Sequence, residues 1–148
     1  MHVNLEAIRQ FNRYYARFLG IFDQKYLGME FSVTEVRVLG EISRNEQVTA
    51  QMLSNYLDLD KSYLSRLIRK LETADLIVRE KSPEDGRKLY LRLTEQGIVL
   101  NQELDARANE RIAQQFSSLD ETQTEHLIGA MREIREILLP ILAEEIEE

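Results

Sequence analysis

The chain has 148 residues, a formal net charge of −7, 43% hydrophobic and 30% charged side chains, and no cysteine. That length suits one domain or a compact two-part unit with a core of its own, and the missing cysteines exclude a disulfide framework, a thiolate metal site and a thiol redox switch. The polar start MHVNLEAIRQ does not read as a secretory signal, and no apolar run approaches the roughly 20 residues that span a bilayer, so a cytoplasmic protein without a membrane partner is expected.

Ile8, Phe11, Tyr15, Phe18 and Phe22 recur at alternating steps of three and four. This spacing predicts a helix over about residues 4–27 with a coiled-coil-like seam. Ser32 and Glu35 predict a capping box opening a second helix through about Arg44.

Residues 50–71, AQMLSNYLDLDKSYLSRLIRKL, read as two short helices joined by the turn Asp58-Leu59-Asp60. Ala50, Leu53 and Leu57 form one apolar stripe, and Leu64, Leu67, Ile68 and Leu71 form another. Asp58 stands where the turn needs a left-handed backbone, which Asp tolerates. Asp60 is placed to cap the second helix. Between the buried positions lie Lys61, Ser62, Tyr63, Ser65, Arg66, Arg69 and Lys70, with no acid among them. Such a helix can pack on its partner while offering donors to a DNA major groove, as in a helix-turn-helix. An ordinary helical hairpin with a solvated charged face would carry the same short pattern.

Ile77 to Lys81 has strand character, and Ser82-Pro83-Glu84-Asp85-Gly86-Arg87 supplies turn chemistry. Leu89, Leu91 and Leu93 then alternate with Tyr90 and Arg92, giving a predicted two-stranded wing over 77–93. Its tip carries Arg87 and Lys88, and Thr94 can cap the next helix. Residues 61–92 hold nine cations and five acids, a local charge of +4, so the rest of the chain carries −11. Cations gathered on one face let an acidic protein bind DNA, while the acidic remainder orients it there.

Leu100, Leu104, Ala108, Ile112 and Phe116 predict a long helix from about 95 to 117. Ser118 and Glu121 predict another capping box. Leu127, Met131, Ile134, Leu138 and Ile141 continue as a last seam, which Pro140 should kink or end. These end helices outrun the central module, so their stripes are best satisfied by each other and by a second copy. The expected fold is mainly α with a small β-wing: a lobe over 32–93, flanked by dimerisation helices over 4–27 and 95–148. A two-fold dimer also places two recognition helices on successive major grooves.

This order of parts resembles the MarR family of bacterial transcription regulators over nearly the whole chain. The run SYLSR at 62–66, the Leu71-Glu72 close and the stretch SPEDGRKLYLRLTEQG at 82–97 carry the resemblance. The last of these holds Asp, one residue, Arg, alternating apolar positions, then Leu-Thr-x-x-Gly. The turn at Asp58 lacks the common Gly, a small departure. The resemblance implies a sequence-specific regulator, a repressor, that binds a pseudo-palindromic operator as a homodimer, without a cofactor. It further implies that Lys61, Ser62, Tyr63, Ser65, Arg66 and Arg69 face bases and phosphates. Arg87, with Lys88 beside it, would enter the minor groove; Asp85 would hold the wing by ion pairing; Thr49 would contact phosphate. Arg79 and Lys81 are phosphate contacts or strand-edge solubility charges.

Such regulators respond to a small ligand between the dimer helices and the DNA-reading lobe. Seven of the eleven aromatics fall in the first 31 residues. With Arg13, Arg17 and Arg37, residues such as Tyr14 and Phe18 would line a pocket for an aromatic or anionic compound. Helical spacing favours reading the same rings as core. An enzyme is not expected: His2 and His126 stand apart, and no phosphate loop, nucleophile elbow or metal spacing occurs. Two alternatives are a regulator-like module ahead of an acetyltransferase domain and a winged-helix module that binds an acidic protein.

Overall fold

The computed structural model describes residues 3–21 and 25–141; Phe22 of the first seam and His2 lie outside them. Helix α1 (Leu5–Leu19) starts at Asn4, whose side chain accepts the Ala7 N–H at 3.1 Å. It stops at Leu19, well short of residue 27, because Gly20 adopts a left-handed φ of 73° and returns its N–H to the last turn. The chain then makes a short 3-10 turn, Tyr26–Gly28, in which Leu27 (φ 56°) and Gly28 (φ 75°) are both left-handed. No α-helix continues through such a pair.

Helix α2 (Val33–Arg44) opens as expected at Ser32, whose hydroxyl oxygen accepts the Glu35 N–H at 3.2 Å. The Glu35 carboxylate turns to Lys70 where the predicted capping box would have it reach back to Ser32. Later in α2, Glu41 is buried and takes Arg37 Nε at 3.0 Å and Arg44 Nη2 at 2.9 Å. A buried carboxylate needs such partners.

Helices α3 (Ala50–Leu57) and α4 (Lys61–Thr73) form the predicted pair. Asp58 sits at φ 51°, ψ 47°, and donates its N–H to the Ser54 carbonyl. The Ser54 hydroxyl donates to the Leu59 carbonyl at 2.7 Å, closing the turn from its buried side. Asp60 caps α4, accepting the Tyr63 N–H at 3.2 Å.

Strands β1 (Ile77–Lys81) and β2 (Leu89–Leu93) pair antiparallel, with Ile77 opposite Leu93 and Lys81 opposite Leu89. The Leu91 N–H donates to the Val48 carbonyl at 2.8 Å, tying the hairpin to the residue before Thr49. Leu91 and Leu93 are buried, but Leu89 is 38% exposed. The alternation therefore fails at its outer end, where the wing has left the helical layer.

At the base of the wing the Thr94 hydroxyl donates to the Asp75 carbonyl at 2.6 Å and accepts the Gly97 N–H at 3.0 Å. A Cβ on Gly97 would fall 2.0 Å from the Leu76 carbonyl oxygen, so only glycine allows this approach. The core sits here, between α2, α3, α4, the hairpin and α5, with Leu39, Leu53, Leu64, Ile68, Leu71 and Leu91 fully buried.

Helix α5 (Glu95–Gln115) leaves the lobe, and α6 (Glu121–Leu138) folds back and ends just before Pro140. The cap of α6 is Asp120 with Gln123 in a complete capping box, in place of the predicted Ser118 and Glu121. Both pairs fit the pattern. Ser118 is taken up by the 116–119 turn, in which the Leu119 N–H donates to the Phe116 carbonyl. Rings of Phe11, Tyr15 and Phe18 stack in sequence at centroid distances of 5.4 and 6.1 Å, and Phe18 meets Phe116 at 5.6 Å with the rings tilted by 33°. With Gln115 Nε2 donating to the Phe18 carbonyl, they hold α1 on the α5–α6 corner.

Candidate nucleic-acid interface

Helix α4 divides cleanly. Leu64, Leu67, Ile68 and Leu71 are buried, and Lys61, Ser62, Tyr63, Ser65, Arg66 and Arg69 are exposed. At 100° per residue, Ser62, Arg66, Arg69 and Thr73 line up directly opposite the buried face. Thr73 escaped the sequence reading, although its spacing from Arg69 was there to be used. Its hydroxyl donates to the Arg69 carbonyl at 2.9 Å. Arg66, Arg69, Lys70 and Thr73 surround a shallow concavity on this face. Tyr63, 40% exposed, stands at the helix start with its ring outside the core.

Thr49 caps α3, its hydroxyl oxygen accepting the Met52 N–H at 3.2 Å. The hydroxyl hydrogen is left to donate outward. On the wing, buried Ser82 accepts the N–H groups of Glu84 and Asp85 at 3.3 and 3.2 Å. Asp85 Oδ1 in turn accepts the Arg87 backbone N–H at 3.0 Å, and the Lys88 N–H donates to the Asp85 carbonyl. Asp85 thus shapes the tip through the backbone, as an Asx turn does, where ion pairing with the arginine was expected. Arg87 and Lys88 are both exposed at that tip.

The nine cations are not equivalent. Arg79 donates to Glu72 at 2.8–2.9 Å, Arg92 to Glu80 at 2.6 Å and Lys70 to Glu35 at 2.9 Å. Among the described residues Arg66, Arg69 and Arg87 have no carboxylate partner. The positive face therefore concentrates on the α4 stripe and the wing tip. Arg79 is occupied by Glu72 near the end of α4, and Lys81 is exposed at the strand end.

A cavity of about 590 Å³ opens between α1 and α6, lined by Phe11, Tyr14, Tyr15, Phe18, Phe116 and Met131 among others. Of the five residues expected to line a ligand pocket, Tyr14 and Phe18 do. Arg13 pairs with Glu6 at 3.0 Å and Arg37 with Glu41, each on its own helix, and Arg17 is not part of the lining. The cation next to these aromatics is Arg111, which lies 5.7 Å over the Tyr26 ring and lines an adjoining cavity of about 420 Å³. Sequence distance hid it: Arg111 and Tyr26 meet only once α5 has crossed the 3-10 turn. No helix among the described residues is long and apolar enough to cross a membrane.

Comparison with known proteins adds to this geometry. A sequence model of the MarR family matches residues 27–88, from the 3-10 turn to the wing tip. The transcriptional regulator SarZ of Staphylococcus aureus is 29% identical over 118 residues, covering 80% of this chain and 74% of SarZ. A MarR transcriptional regulator of Methanosarcina mazei superposes with a TM-score of 0.74 at 25% identity, over 90% of this chain and 99% of that one. Bordetella bronchiseptica BpsR, whose DNA binding is regulated by 6-hydroxynicotinic acid, superposes with a TM-score of 0.67 at 19% identity, over 90% and 96%.

Proposed function

This chain belongs to the MarR family of winged-helix transcription regulators, and we propose that it is a repressor which grips a pseudo-palindromic operator as a homodimer. As a member of that family it is a DNA-binding regulator and not an enzyme. The observation that carries the proposal is the union of two exposed cationic elements on one rigid lobe. The α4 stripe of Ser62, Arg66 and Arg69 fits the major groove, and Arg87 at the wing tip fits the adjacent minor groove. Lys61, Tyr63, Ser65 and Lys88 flank these elements, Thr49 offers a hydroxyl to phosphate, and Asp85 sets the tip. Each side chain acts in one of two ways: phosphate contacts fix register, and base-edge contacts read sequence.

Residues 32–93 serve as the reading lobe, and α1, α5 and α6 as the dimerisation helices. Helices α1 and α6 bury no residue in the single chain, and Leu5, Ile8, Phe11, Ile112 and Ile137 are 47–65% exposed. A second copy laid on this surface would bring two recognition helices to half-sites about one helical turn apart. The same dimer would close the aromatic cavity, and a small aromatic or anionic ligand held there or beside Arg111 would release the DNA. The regulation of BpsR by an aromatic acid supports that choice of ligand class.

Sequencing of DNA pulled down with the protein from the genome is the test. The expected result is an inverted repeat upstream of one or a few genes, bound by a dimer in light scattering. A stable monomer at micromolar concentration, or binding without any sequence preference, would overturn the proposal. For the ligand, phenolic acids are titrated against free and DNA-bound protein. A releasing ligand must bind the free dimer more tightly, by the factor by which it weakens DNA binding.

A further inference from the structure

We infer that Glu35 is a positioning residue that holds Lys70 away from the DNA backbone and so sets how strongly the recognition face grips DNA. The inference rests on the DNA-binding reading above and adds a control on it. Glu35 lies in the first turn of α2, and both its carboxylate oxygens accept from Lys70 Nζ, at 2.9 and 3.1 Å. The two residues are 35 positions apart, so the pair joins the start of α2 to the recognition helix.

The Glu35 side chain is only 14% exposed and that of Lys70 58%. The carboxylate is thus the fixed member, backed by the Ser32 bond to its own N–H and by the positive end of α2. Lysine is the mobile member, a point charge on a flexible stem. Lys70 borders the concavity formed with Arg66, Arg69 and Thr73 on the DNA-facing side. Released from Glu35, its ammonium group can swing toward a phosphate flanking that stripe. Exposed ion pairs add little to stability, so the main effect of this one is on where a charge points. Glu35 also brings a negative charge to the rim of a face that must meet phosphates.

The experiment measures affinity of the full chain for a mixed-sequence duplex of about 30 base pairs, from about 50 to 200 mM salt, where binding is governed by counterion release. Four proteins are compared: wild type, Glu35→Gln, Lys70→Ala and the double variant. Glu35→Gln should bind at least about threefold tighter at the low-salt end, with a log–log salt slope steeper by about 0.9 per protomer. Adding Lys70→Ala should return the slope to that of wild type, and Lys70→Ala alone should leave it there. The inference is overturned if Glu35→Gln has the wild-type slope, if Lys70→Ala alone flattens it by about 0.9, or if the double variant stays as steep as Glu35→Gln. Should Glu35→Gln unfold, Glu35→Ser, whose side chain is too short to hold Lys70, takes its place in the same four-way comparison. Wild type showing no salt-dependent binding would instead sink the DNA-binding reading itself.

Discussion

The reading lobe and the end helices are built to opposite rules. In the lobe, α2, α3, α4 and the hairpin share one core in which Val38, Leu39, Val48, Leu53 and Leu71 are wholly inaccessible. Of the end helices, α5 buries only Gly97 and Leu104, both in its first half, and α1 and α6 bury nothing. The apolar stripes are equally regular in both regions. Periodicity reports that a helix has an apolar face; it does not report whether that face is covered within the same chain. The lobe covers its apolar faces within one chain, and the end helices leave theirs exposed.

The largest expected effect falls on the packed lobe. Gly97→Ala places a Cβ 2.0 Å from the Leu76 oxygen, so α5 must shift off the base of the wing. A loss of about 3 kcal/mol or more is expected, read as a fall in Tm of about 10 °C. An unchanged Tm would mean that the lobe and α5 are not locked at this point.

The next variant tests the exposed faces of the end helices against the proposed dimer. Ile8 and Ile134 are 51% and 41% exposed in the single chain. The Ile8→Glu/Ile134→Glu double variant should leave the lobe folded by circular dichroism while shifting light scattering from dimer to monomer. Operator affinity should fall by a factor of about 100 or more as the second half-site is lost. If the variant remains dimeric, these seams are not the interface and the contrast between the two regions must be redrawn.

Smaller effects sharpen the division of labour within the lobe. Changing Arg66 to Ala should cost about 1–3 kcal/mol at particular base pairs and little elsewhere, seen as relaxed preference in a selection from random duplexes. Arg87→Ala should weaken binding to all sequences, flatten the salt slope by about 0.9 per protomer and act most on A·T-rich flanks. An Arg87→Ala protein with wild-type affinity and slope would remove the wing from the interface. Smallest of all is the response to oxidant. With no cysteine in the chain, peroxide should not release DNA through thiol chemistry, and gel shifts before and after treatment should match.

Much of the lobe was legible because its decisive contacts are local. Asp58 in the left-handed turn, Asp60 and Thr94 as caps, and the outward set on α4 all depend on neighbours within a few residues. The end of α1 was legible too, since Gly20 marks it, but the aromatic seam running on to Phe22 masked that signal. The α6 cap was ambiguous. Ser118–Glu121 and Asp120–Gln123 both satisfy the capping pattern, and the turn closing α5 decided between them. Arg13, Arg17 and Arg37 were grouped with the aromatics because they are near in sequence. On a helix, residues three or four apart share a face and others diverge. Arg37 was moreover needed by the buried Glu41.

By itself the sequence determined where α2 to α5 and the two strands start, which side of α4 faces outward, and that its cations gather near the wing. Backbone dihedrals, caps and hydrophobic period fix those features over a few residues, so no distant partner is required. Only the tertiary structure decided which charges are available. It gave Lys70 to Glu35, Arg79 to Glu72 and Arg92 to Glu80, and it brought Arg111 to Tyr26 across the fold. Long flexible side chains choose among partners several ångströms apart, and elements distant in sequence supply the partners. Charge can be counted along a chain, but where it points is a property of the packed molecule.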